Sequence, residues 1–141
     1  MKLIQFSLIV FGGLCLLGSA HAAGMEIKPG QWEFRSQTSM PVQGGIRENV
    51  NKQCLKDATV TPQTLMKDMQ QGCELLDSKG TANSLSWKVS CSGGGGDMTG
   101  EGNVTGSDET LQGGMKMVVS YNGQKMNMAV SWDGKYVGPC P

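Results

Sequence analysis

Asn122-Gly123 constrains this chain more than any other feature, because it stands between two runs of alternating apolar and polar residues that extend from 111 to 132. Both central residues of a type I′ turn take φ > 0, which asparagine and glycine tolerate best, so the dipeptide predicts a two-residue hairpin. Such a turn leaves the register no freedom. Counting outward from Tyr121 and Gln124 sets Val119 against Met126, Met117 against Met128, Met115 against Val130 and Gly113 against Trp132. One face of the hairpin is then lined with thioethers. Lys116, Ser120, Lys125, Asn127 and Ser131 fall on the other, with Val118 and Ala129 as its apolar members.

Residues 1–22 are set aside as a signal peptide. Lys2 is the charged start, Leu3 to Leu17 is an apolar run, and Ala20-His21-Ala22 fits an A-x-A cleavage site. Cys15 lies inside that run behind Leu14, which does not fit a lipoprotein signal. Residues 23–141 are expected to form a single domain around one modest core, and they contain no apolar run long enough to span a membrane as a helix. Of the 12 basic residues Lys2 leaves with the signal, so 11 remain against 12 acidic ones, scattered along the chain. Neither nucleic acid nor an anionic membrane surface is an expected partner.

Without Cys15 four cysteines remain, an even number in a chain expected to be exported, and they predict two disulfides. Folding residues 73–91 about Gly80 to Ser84 sets Leu85 against Lys79, Trp87 against Asp77, Val89 against Leu75 and Cys91 against Cys73. Cys73 is therefore paired with Cys91 and, by elimination, Cys54 with Cys140.

Period-2 alternation places Trp32, Phe34, Ser36, Thr38 and Met40 on one face of a first strand. After a turn at Pro41 to Gly45, a second strand runs from Ile46 to Leu55, with Ile46, Val50 and Cys54 expected to face inward. Thr61 followed by Pro62 predicts a helix start, and Leu65, Met66 and Met69 form the stripe of a helix ending at Gly72. The strand pair with Cys73 and Cys91 follows, then a glycine-rich link at Ser92 to Gly96. Met98, Gly100, Gly102 and Val104 share a face, and a turn at Gly106-Ser107 would oppose Met98 to Met115, Gly100 to Gly113 and Gly102 to Leu111. Asp133-Gly134 predicts a last hairpin that returns Tyr136 to Cys140. The expected fold is mainly β: an up-and-down antiparallel meander of about eight strands with one short helix after the second. It closes, fully or nearly, into a barrel of lipocalin-like outline, with an open curved sheet as the alternative.

His21 leaves with the signal peptide, so no imidazole remains for nucleophile activation or metal ligation. With all four cysteines bridged there is no thiol nucleophile, and Glu48, Glu101 and Glu109 fit rim groups as well as catalytic ones. No enzymatic role and no cofactor is expected. Gly93 to Gly96 lacks the Lys-Ser/Thr and helix start of a phosphate loop. The methionines are the enriched feature, and three roles are open to them. They can be adaptable core filling, the lining of an apolar ligand cavity, or, as the Met115-x-Met117 and Met126-x-Met128 thioethers, a Cu(I) or Ag(I) site. The candidate ligand-lining set is Trp32, Phe34, Trp87, Met98, Met115, Met117, Met126, Met128 and Trp132.

Gly30-x-Trp32-Glu33, Gln53-Cys54-Leu55 before a helix, Trp87 ahead of Cys91, Gly113-x-Met115-x-Met117 and Gly138-x-Cys140 give the chain a further identity. Together they resemble the family catalogued as domain of unknown function 3617, over nearly all of residues 23–141. The resemblance implies a small exported protein of Gram-negative bacteria with this cysteine framework, and no particular activity. The expected function is thus a non-catalytic periplasmic or envelope-associated binding module whose Met-rich apolar interior accepts a small hydrophobic or lipid-like ligand. A Cu(I)/Ag(I)-binding protein is the alternative, and a purely structural or interaction protein with a packed core is the second.

Overall fold

The computed structural model describes residues 23–40, 44–66, 72–93 and 96–141. Seven long strands form one antiparallel sheet: β2 (Gly30–Met40), β3 (Gly45–Leu55), β5 (Cys73–Thr81), β6 (Ser84–Gly93), β7 (Gly96–Gly106), β8 (Thr110–Tyr121) and β9 (Gln124–Gly138). Two short strands, β1 (Met25–Glu26) and β4 (Thr59–Val60), pair with each other, and α1 (Pro62–Leu65) follows them.

The spatial order is β3-β2-β9-β8-β7-β6-β5, so β5 to β9 are a meander of sequence neighbours and the β2–β3 hairpin docks on its last strand. The sheet is open. β3 and β5 are its two edges and do not pair, which corrects the expectation of a closed, lipocalin-like barrel. The eighth strand is also absent, because β9 runs straight through Asp133-Gly134 instead of turning there. Gly134 lies beneath the Phe34 ring: a Cβ at this position would be 2.6 Å from Phe34 Cε1. The glycine therefore provides room for an aromatic ring and not a turn, and β2 pairs with β9 from Ala129 to Gly138, on both sides of that dipeptide.

The central hairpin is as its turn dictates. Asn122 and Gly123 have φ of 49° and 77°, and Val119, Met117, Met115 and Gly113 oppose Met126, Met128, Val130 and Trp132. Between β7 and β8 the connection is longer than Gly106-Ser107: the Ser107 amide donates to the Thr110 carbonyl, and β8 begins only at Thr110. Met98 consequently opposes Val119, Gly100 opposes Met117 and Gly102 opposes Met115. This slides the expected register by four residues and keeps the faces. Between β5 and β6, Cys73 opposes Cys91 and Leu75 opposes Val89 as expected. A bulge at Leu76 then shifts the pairing, so that Asp77 opposes Lys88 and Ser78 opposes Trp87 about a turn at Ala82 and Asn83. Both disulfides, Cys73–Cys91 and Cys54–Cys140, are present.

In β3 the inward assignment is reversed. Met40 opposes Gly45 and Ser39 opposes Ile46, which places Ile46, Val50 and Cys54 on the outer, polar face and turns Arg47, Asn49, Asn51 and Gln53 inward beside Thr38, Ser36, Phe34 and Trp32. Ile46 and Val50 are 70% and 53% exposed. The Thr61 hydroxyl caps α1 by accepting from the Thr64 amide, and the Thr64 hydroxyl reciprocates at the Thr61 amide. The helical turn ends at Met66. Met69 and the remainder of the expected helix lie outside the described residues, as do positions 94 and 95 of the glycine-rich link, whose flanks Gly93 and Gly96 pair directly.

The core runs along the inner face as far as Val89. Trp32, Leu85, Trp87, Val89, Val104, Leu111 and Met115 form one buried cluster with Met25, Ile27 and Val60, which lie in the short segments at its end. The Ile27 amide donates to Ala58 and the Glu26 amide to Ala82, so β1 and β4 are held as a lid across the sheet end.

Candidate functional site

Rows of inward residues run across the strands, and distance from the lid divides them. Nearest it, Phe34, Gly134 and Leu111 form one row and Ser36, Trp132, Gly113 and Val104 the next. Then come Thr38, Val130, Met115, Gly102 and Trp87, followed by Met128, Met117, Gly100, Val89 and Leu75. The farthest row holds Met126, Val119, Met98, Cys91 and Cys73.

A cavity of about 540 Å³ opens between the lid and β3. Its floor is Phe34, Val104, Leu111 and Trp132, and Met25, Ile27, Val60 and Leu65 form the lid side. Asn51 and Gln53 supply side-chain amides on the β3 side, and Lys56 and Asp57 stand beside them. The chamber is of mixed character, with an apolar floor and polar side chains on β3, on residues 56–59 and at Ser36 and Thr64, and its volume is usual for small-molecule sites.

The sequence-predicted lining set is split among three environments. Phe34 and Trp132 line the cavity. Trp32, Trp87 and Met115 are buried in the core. The Trp32 indole N–H donates to the Lys28 carbonyl at 3.0 Å, and Trp32 also packs edge-on to Tyr136. Trp87 and Trp132 stack with ring centroids 6.4 Å apart, each lying over a glycine of the intervening strands, Gly102 and Gly113. Met115 ends against Gly100. Met98, Met117, Met126 and Met128 lie on the two farthest rows, half-buried, and do not line the cavity. Met115 and Met117 converge over Gly100, the first buried and the second half-buried, while Met126 lies one row farther from Met115 than Met117 and Met128 do.

Sequence reasoning missed Met25, Ile27, Val60, Asn51 and Gln53. The alternation Met25-Glu26-Ile27 was a usable signal for a short strand, whereas the inward turn of the β3 amides depends on a register that composition does not reveal.

The outer face is polar and its charges alternate across strands. Asp77, Lys88, Glu101 and Lys116 oppose one another in sequence across β5 to β8, beside recesses of about 600 Å³. Lys88 Nζ donates to Glu101 at 3.0 Å, and this hydrogen bond and charge, with Asp77 on the other side, hold the Lys88 pKa above its ordinary value. The carboxylates considered for catalysis are partnered on the surface: Glu101 by Lys88, Glu48 by Gln37 at 2.7 Å and Glu109 by Lys28 at 3.3 Å. Among the described residues no cluster of His, Cys, Asp and Glu could hold a metal ion, and no helix is long and apolar enough to cross a membrane.

If Met117 and Met128 serve only to fill the apolar face, changing both to Leu is expected to cost less than about 1.5 kcal/mol per site, because volume and apolarity are kept. Urea denaturation of the double variant checks this. Residues 27–140 match the family model described as Protein of unknown function (DUF3617). No curated protein and no solved structure matches the chain.

Proposed function

The chain belongs to the family described as Protein of unknown function (DUF3617), and from that premise we propose that it is an exported, non-catalytic binding module whose inner face takes a small lipid-like amphiphile. The observation that carries this is the incompletely covered inner face. The lid of β1 and β4 buries only one end, and beside it the aromatic floor of Phe34 and Trp132 faces a chamber with Asn51 and Gln53 on its wall. An apolar surface that adjoins a chamber of this size is where a hydrophobic chain leaves water most favourably, at about 25 cal/mol per Å² removed. Beyond the chamber, Met117, Met126 and Met128 extend the apolar surface with flexible, adaptable side chains. Two disulfides suit an oxidising compartment, in keeping with a periplasmic location after removal of residues 1–22.

The test is titration of the oxidised protein with a fluorescent naphthylamine probe followed by displacement with oleate, alongside native mass spectrometry of protein taken from the periplasm. Binding of the probe, its displacement by oleate, and weakening of both by Phe34→Asp are expected, the last by about tenfold or more because a carboxylate must be desolvated in the floor. Absence of binding by the wild type would overturn the proposal. A Cu(I) competition titration on the wild type and the Met117→Leu/Met128→Leu variant separates the soft-ion alternative. The apolar reading expects no tight binding by either; tight binding lost in the variant would replace it.

A further inference from the structure

Natural sheets protect their edges, and the two edges here are treated differently. β5 carries a bulge at Leu76 and a disulfide at its first residue, and Ala23 and Gly24 approach it at Gly80. β3 pairs with β2 over eleven consecutive residues without a bulge or a proline, and its residues from Gly45 to Gln53 are exposed. Among the described residues no strand pairs with its outer side.

We propose that this outer side of β3 is a self-association edge, where a second copy of the chain adds its own β3 antiparallel and joins the two seven-stranded sheets into one. Charge complementarity selects the occupant and the register. The midpoint of Gly45–Leu55 is Val50, so full overlap of the two strands occurs when Val50 faces the partner's Val50. In that register Glu48 faces the partner's Lys52, and Lys52 faces the partner's Glu48. On the inner face Asn49 meets the partner's Asn51, and Arg47 meets the partner's Gln53.

Sliding by two residues loses both charge pairs, because Glu48 then faces the partner's Val50 or the partner's Cys54. Sliding by four puts like charges together, Glu48 on the partner's Glu48 or Lys52 on the partner's Lys52. The longest overlap and the best charge match therefore coincide. The match also continues a pattern already in the sheet: Lys135 opposes Glu33 and Glu33 opposes Lys52, and the partner's Glu48 would be next in that alternating row. The exposed Val50 side chains, set directly opposite each other, would be removed from water at the centre of the seam.

Sedimentation equilibrium of the oxidised protein tests this through charge reversal. The wild type is expected to dimerise. Glu48→Lys and Lys52→Glu, each alone, face like charges at two places and are expected to weaken dimerisation by about tenfold or more. Mixing the two variants restores opposite charge at both places and is expected to give a heterodimer. Near-UV circular dichroism verifies that each variant is folded; should one fail to fold, the wild type and the other variant still decide. A wild type that stays monomeric at every concentration would overturn the proposal. So would single variants that dimerise as the wild type does, or two folded variants that do not associate when mixed.

Discussion

Replacing Cys54 and Cys140 together by serine is expected to lower stability by about 4.6 kcal/mol, the larger loss from removing either disulfide. The two cysteines are 86 residues apart, whereas Cys73 and Cys91 are 18 apart. In the chain-entropy account the longer loop restricts the unfolded ensemble more, so serine at Cys73 and Cys91 is expected to cost about 3 kcal/mol. The long bridge also joins strands that do not pair. Cys54 opposes Gln31 on β2, and Gln31 opposes Gly138 on β9, so the bond to Cys140 spans β2 at its start. Without it, the hairpin of β2 and β3 is held to the meander by the β2–β9 ladder and by the packing of Trp32 and Phe34 on the core. Urea denaturation of both serine pairs and of the oxidised wild type measures the difference. Equal losses would show that residual structure in the unfolded chain, and not loop length, sets the contribution.

A methyl group at Gly102 is expected to cost about 3 kcal/mol, the upper part of the range for overpacking a core. The Trp87 ring lies across this glycine so closely that a Cβ would overlap it, with the indole nitrogen 2.8 Å from the Cβ position. Trp87 is only 4% exposed and is stacked on Trp132, so a shift of its ring must disturb that stacking. Gly113 repeats the arrangement from the other strand: a Cβ there would lie 2.7 Å from the Trp132 ring and 2.6 Å from the Asn103 carbonyl oxygen. Gly102→Ala is expected to lower the urea midpoint and weaken the near-UV circular dichroism of the paired indoles. Gly123→Ala is a useful contrast: its positive φ strains any side chain, yet nothing lies within 4 Å, so its cost is expected without loss of the indole signal. A Gly102→Ala protein as stable as the wild type would show that the indole pair can slide.

These two glycines show which parts of the molecule could be read in the sequence. Where a turn has a specific chemistry, as at Asn122-Gly123, the register of the whole hairpin followed from two residues. The disulfide pairing followed in turn from Cys73 and Cys91 ending opposed strands. Alternation identified most faces because period 2 survives a slide by an even number of residues, and so the four-residue error between β7 and β8 left Gly100 and Gly102 inward. The bulge at Leu76 broke that protection in β5. Asp133-Gly134 misled because a dipeptide suited to a turn also suits a strand on which a ring must lie, and Phe34 is 99 or 100 residues away in sequence. The barrel expectation failed for a related reason: which edges meet depends on how β2 docks on β9, and no local signal encodes that. The candidate lining residues were legible as apolar and inward, but their division among cavity, core and the farther rows was not, because Met25, Ile27 and Val60 join the core from short segments.

The docking of β2 on β9 has a consequence for the order in which the chain can fold. Emerging N-terminus first, from a ribosome or through a membrane pore, the β2–β3 hairpin appears before any of the strands it will join. β5 to β9 can pair as each arrives, because every one of those contacts is between sequence neighbours. β2 must wait for β9, the last strand, and until then both sides of the hairpin expose unpaired backbone. Closure is thus a late, single, long-range event, after which Cys54 and Cys140 come within reach of each other. A nascent chain stalled before residue 124 would have a growing meander and a detached hairpin, a state in which the hairpin's edges are open to pairing with a neighbouring chain.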